Sequence, residues 1–205
     1  INNDQKMAAF LIDHGINKNH FNHLGSTALI KAVFLERNEM VEALLSWQVD
    51  TRIKDNDGYT AFSRAVSALP VLDIFLRGNI LTDLNTQTAH YKSTPLMISM
   101  YCWNLPAFHA LLKAGAELNL QEKRGTTALS YAVAHGIDEA TYALVKAGAD
   151  ISIADQLSLT PIDIARIGGR EEIAKYLEEQ RLEQELSVFT KGLPRAIKAP
   201  RPFRP

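Results

Sequence analysis

His14, His20 and His23 stand close together in "DHGINKNHFNH", and neutral imidazoles are common metal ligands. Their spacing follows no zinc template, so the expectation is solvated histidines on a polar turn. The single thiol, Cys102, has His90, His109 and His135 at a distance along the chain and no orienting motif beside it. One cysteine also excludes an internal disulfide, and it suits a reducing, cytoplasmic setting. The alternative is secretion or translocation by means of a leader upstream of Ile1. The pair Gly168–Gly169 reads as a turn between helices and not as a phosphate cradle, and no G-x-S-x-G or H-E-x-x-H occurs. The chain is therefore expected to be no enzyme and to hold no cofactor and no metal.

What could position any of these side chains is visible as a repeat. The strings "STALIKAV", "YTAFSRAV", "STPLMISM", "TTALSYAV" and "LTPIDIAR" place threonines at Thr27, Thr60, Thr94, Thr127 and Thr160, at spacings of 33, 34, 33 and 33. Each threonine is set to cap a helix with its hydroxyl. Small and apolar residues then follow at helical spacing, as in Ala128, Leu129, Ala132 and Val133. A second apolar helix comes after a short turn. Pro70 and Pro106 fit its first turn, and Gly78, Gly115 and Gly148 are expected to end it in the left-handed conformation. Gly25, Gly58 and Gly125 precede their threonines by two residues, where a tight hairpin closes; Lys92 and Ser158 stand there in the third and fifth units.

These strings, with "TPL", "AGAELN" and "AGADIS", resemble the T-P-L-H-x-A and G-A-D/E signatures of ankyrin-repeat proteins over about residues 5–180. The resemblance implies an all-α solenoid of stacked helix-turn-helix units with projecting β-hairpin loops. A repeat domain would occupy 1–180, and a helix extension with a basic, Pro-rich tail would occupy 181–205. The signature histidine is replaced in every unit, by Ile30, Ser63, Met97, Ser130 and Asp163, which puts any network that it makes between repeats in doubt. "MAAFLIDHGINKNHFNHLG" supplies only the second half of an opening unit, so a fragment or processed form with more protein upstream is expected. At the other end, Glu171, Glu172, Lys175, Glu178, Glu179 and Arg181 make the last helix polar enough to cap the stack.

The composition agrees with a globular chain: 205 residues, 46% hydrophobic, 22% charged, net charge −1. Five bases and no acids lie in 191–205, leaving 17 bases against 23 acids in residues 1–190, a net of −6. An acidic body argues against nucleic acid as partner, no apolar run is long enough for a membrane helix, and the tail is expected to dock on the body. What the resemblance implies instead is a protein partner, bound along the hairpin tips and the first helices. Carried over by position, that surface includes Phe34, Tyr59, His90, Tyr91, Tyr101, Lys123, Arg124 and His135. Aromatic and basic side chains of this kind anchor interfaces. The segment Gly78–Thr94 takes 16 residues where its counterparts take 12, and the helix pair before it takes 18 residues where the others take 21. The chain thus trims the connection at "SALP" and lengthens one hairpin by four, with His90 and Tyr91 in the longer loop as contact candidates. Adaptor, inhibitor, bacterial effector and toxin antidote are the roles considered, with the regulatory part of a larger enzyme as the rival.

Overall fold

The computed structural model describes residues 3–78 and 84–192. The docking expected of the basic tail falls on residues 193–205 and lies outside them, as does part of the lengthened loop, 79–83. Eleven helices are present among the described residues. Helix α1 (Asn3–Asp13) is the lone half-unit. Five helix pairs follow: α2 (Ala28–Phe34) with α3 (Asn38–Ser46), α4 (Ala61–Ala65) with α5 (Leu69–Arg77), α6 (Pro95–Tyr101) with α7 (Leu105–Lys113), α8 (Ala128–Ala134) with α9 (Asp138–Lys146), and α10 (Pro161–Ile167) with α11 (Glu171–Gly192).

Every first helix starts for the same reason. The hydroxyl of Thr27, Thr60, Thr94, Thr127 or Thr160 accepts the backbone N–H three residues on, at 3.2–3.3 Å. That third residue is the one that replaces the signature histidine; it is apolar in Ile30 and Met97, and in the other three units its side chain bonds within its own unit. Ser63 Oγ donates to Thr60 O at 3.0 Å, Ser130 Oγ lies 3.1 Å from Thr127 Oγ1, and Asp163 closes a capping box with Thr160.

First helices pack on first helices and second on second through the stack. The core between them is apolar and dense, with Phe62, Phe75, Phe108, Leu129 and Leu144 fully buried. Phe62 and Phe75 meet edge-on at 5.7 Å. The two ends differ. In α11, Ile173, Ala174 and Leu177 are buried and Tyr176 packs against the core, while the described outward side chains are mostly charged, with Leu182 and Leu186 exposed among them. At the other end α1 leaves Met7, Phe10 and Leu11 exposed.

The hairpins are too short to form strands. Among the described residues the one bridge is Phe21–Thr27. Each hairpin is held instead by its first residue. Asn22, Asp55, Glu122 and Asp155 each accept two backbone N–H groups of their own tip through a side-chain oxygen. A second set ties each loop to the next: Asn19 Oδ1 accepts Asp50 N–H, Asn85 Oδ1 accepts Glu117 N–H, and Asn119 Oδ1 accepts Asp150 N–H. Arg52 stands in this series in the second unit and turns back onto Asp50.

Three expectations about the irregular unit need correction. Gly78 caps α5 with φ −71°, a right-handed conformation, whereas Gly115 and Gly148 adopt φ +87° and +92° one residue beyond their caps. Gly78 is thus the counterpart of Ala114 and Ala147. Counted from that position to the following threonine, the loop takes 16 residues against 13, so it is longer by three, not four. The trimming falls on a helix as well. The connection from α4 to α5 keeps the usual three residues, and α4 has five residues where the other first helices have seven. Finally, the hairpin bond that runs Asp55 N–H to Tyr59 O in the second unit runs Thr88 N–H to Ser93 O in the third, one residue wider. The surplus residue at that tip is Ala89. His90 and Tyr91 occupy the ordinary places of Asn56 and Asp57.

Candidate protein-binding groove

Four elements converge beside this tip. Tyr59 and Ser93 immediately precede the caps of α4 and α6, Tyr101 ends α6, and Tyr131 lies inside α8, which His135 caps at its C-terminus. Together with Tyr91 and Arg124 they line a depression of about 510 Å³. The rings are already in contact with one another. Tyr101 meets Tyr131 edge-on at 4.5 Å, and Tyr131 lies 4.1 Å from the His135 ring. Burial raises the pKa of the Tyr101 phenol, partly opposed by a hydrogen bond from Ser93. Burial raises that of Tyr131 too. Both stay neutral at ordinary pH, as hydrogen-bonding tips on apolar rings.

The neighbouring hairpins fix the walls. Arg64 of α4 reaches back to Asp55 at 2.7 Å and Asp57 at 2.8 Å, and its guanidinium lies 4.1 Å over the Tyr59 ring. Lys123 N–H donates to Tyr91 O at 2.8 Å, which sets the fourth tip against the third. Similar rungs run from Asn56 to Leu24 O and from Gln156 to Arg124 O. Between the second and third tips the surplus Ala89 sits against Gly58, and His90 Nε2 approaches Asn56 O at 3.4 Å.

Of the eight residues singled out in the sequence, Tyr59, Tyr91, Tyr101, Arg124 and His135 line one depression. His90 lies on the third tip, and Lys123 borders an adjoining hollow with Lys92. Phe34 is separate. It is 66% exposed, lies near Lys31, and lines another depression of about 260 Å³ with Leu24, Asp57 and Arg64. Sequence reasoning missed Tyr131. Its position in "STALIKAV" carries Lys31, so only the helical interval to His135 marks it as surface-facing. Trp103 is 66% exposed in the α6–α7 turn at φ +54°, whereas Trp47 packs against the core.

The histidines of the opening loop stay apart from such a site: His14 bonds Phe10 O and rests on the Phe10 ring, and His20 stacks on Phe21. No group of three or more His, Cys, Asp or Glu that could hold a metal ion occurs among the described residues. No helix among them is long and apolar enough to cross a membrane.

The family model for ankyrin repeats in three copies matches residues 64–155 and 96–187. The chain is similar to neurogenic locus notch homolog protein 1, with 33% identity over 125 residues to that of Mus musculus and of Rattus norvegicus, and 32% to that of Homo sapiens. The match covers 60% of this chain and spans about 5% of the length of those relatives. Repeats of this kind mediate protein–protein interaction and are typically non-catalytic. Threonine-capped helix pairs at a period near 33 and glycine-closed tips stacked tip on tip agree with that match over most of the described chain: it belongs to the ankyrin-repeat family.

Proposed function

We propose that the chain is a non-enzymatic binding module, an adaptor or inhibitor, that holds a partner protein along its hairpin tips and first helices. The observation that carries this reading is the gathering of Tyr59, Tyr91, Tyr101 and Tyr131 with Arg124 in one depression. Tyr and Arg are the side chains most often found to dominate binding energy at interfaces. They stand here on rigid, capped helices and cross-tied tips, so little entropy is lost on ordering them.

Affinity capture from the native source tests this. The Tyr59→Ala/Tyr101→Ala variant is expected to lose the proteins captured by the intact chain. Tyr142→Ala, a change to an exposed ring that packs on Tyr176 of α11, is expected to retain them. Capture that is indifferent to the double change and sensitive to Tyr142 would place binding on the second helices and overturn the reading.

A further inference from the structure

The charge around the aromatic depression narrows the chemistry of the partner, an inference that rests on the groove reading above. Lys92 and Lys123 border the adjoining hollow, and Arg124 lines the depression itself. None of the three joins an ion pair among the described residues, whereas Arg64, Arg166 and Arg170 each do. The carboxylate nearest in sequence, Glu122, is engaged through Oε1 with the backbone N–H groups of Arg124 and Thr126. Glu122 lines both hollows and Asp155 lines the adjoining one, so three cations stand against two carboxylates, a local net of +1 on a body whose residues 1–190 carry −6. Such a cluster steers and holds the opposite charge. Beside it lies a hollow with aromatic walls and a polar rim, of a size that takes a large side chain, lined by rings in the edge-on geometry that aromatic guests extend.

We propose that the partner segment seated here is acidic, with Asp or Glu side chains on Lys92, Lys123 and Arg124 and one aromatic side chain in the hollow between Tyr59, Tyr101 and Tyr131. A methylated ammonium group is the other guest that tyrosine faces attract. Arg124 in the same hollow offsets the one carboxylate there, Glu122, and the Tyr59 ring already carries the Arg64 guanidinium, so a cationic guest finds neither a net negative wall nor a free Tyr59 face.

The test uses the full chain and a display library of random short peptides, followed by synthetic copies of the enriched sequences in fluorescence anisotropy. Enriched peptides are expected to carry an aromatic residue beside Asp or Glu, and to weaken as NaCl rises from about 0.05 to about 0.5 M. Lys92→Glu/Lys123→Glu/Arg124→Glu is expected to weaken them at least about tenfold. The same peptides with Lys for each acid should then bind the triple variant in preference to the parent. Arg124→Glu alone gives a smaller loss in the same direction, and urea unfolding verifies that each variant is folded. Enrichment of basic peptides, displacement by a trimethyl-lysine peptide, no enrichment at all, or binding indifferent to the charge reversals would overturn the proposal. If peptides indifferent to charge are still lost on Tyr59→Ala/Tyr101→Ala, the groove reading stands without it. If enriched peptides ignore that double change as well, the groove reading falls too.

Discussion

Ser158 shows how a single residue can work against its own repeat. It occupies the tip position held by Gly25, Gly58 and Gly125, at φ +61°, which costs a residue with a Cβ about 1–2 kcal/mol. No later hairpin follows Ser158 among the described residues. Ser158→Gly is therefore expected to stabilise the protein by about 0.5–1 kcal/mol, the relief of strain being partly offset by the freer unfolded chain. Urea unfolding measures this, and Ser158→Ala should gain nothing. Two residues on, the capping box makes a pH-dependent contribution. The Thr160 hydroxyl, and after it the Thr160 N–H, hold the Asp163 carboxyl below the ordinary aspartate value of 3.8. A depressed folded-state pKa means the contribution is complete above 3.8 and is lost as pH falls below that value through the folded pKa. Asp163→Ala is expected to cost about 0.5–2 kcal/mol at neutral pH. The difference from the parent should shrink steadily as unfolding is followed below pH 4.

Among elements, the hairpin tips decide how closely units approach. A Cβ on Gly58 would lie 2.3 Å from Ala89 N and 2.4 Å from its Cβ, whereas at Gly115, with a nearly equal positive φ, nothing lies within 4 Å. Both Gly→Ala changes bear the backbone strain of about 1–2 kcal/mol. Gly58→Ala is expected to cost about 1–3 kcal/mol more, because the third hairpin must shift. Equal urea midpoints for the two variants would mean that the second and third tips are not in contact. The same elements show what the sequence makes legible. Threonine caps and tip glycines act through local backbone chemistry, so their spacing alone reveals the helix pairs and hairpins. Tyr59, Tyr91 and Tyr101 could be traced to one face because each holds a fixed place in the repeat. Tyr131 escaped because it lies inside α8, where only stacking against Tyr101 turns it toward the depression. Gly78 misled because glycine permits the left-handed conformation without requiring it, and the count of extra residues was anchored on it. A shortened α4 and a shortened connection leave the same total between Thr60 and Gly78, so the sequence does not distinguish them.

At the scale of the molecule, a solenoid distributes its stability as a chain of neighbour terms, and the junction between the second and third units is the thinnest of them. The backbone rung that joins other adjacent tips, from Asn56 to Leu24, Lys123 to Tyr91 and Gln156 to Arg124, is replaced there by the long His90–Asn56 approach. The helix on the N-terminal side of that junction, α4, is two residues short. Asn104 Nδ2, donating to Val66 O at 2.9 Å, Lys54 Nζ, donating to Gln87 O at 2.7 Å, and the α4–α6 and α5–α7 packing bridge it. Beyond it, the N-terminal units carry the exposed apolar side chains of α1, whereas the C-terminal units carry the buried Ile173, Ala174 and Leu177 of α11. Opening is therefore expected to divide the chain at this junction. In native-state hydrogen exchange, amides of α6 to α10 should be protected together, and those of α2 to α5 should exchange through an opening at least about 1–2 kcal/mol cheaper. Added urea should bring out the division before global unfolding begins. A single free energy across α2 to α10 would show that the widened tip and the short helix leave the coupling between units intact.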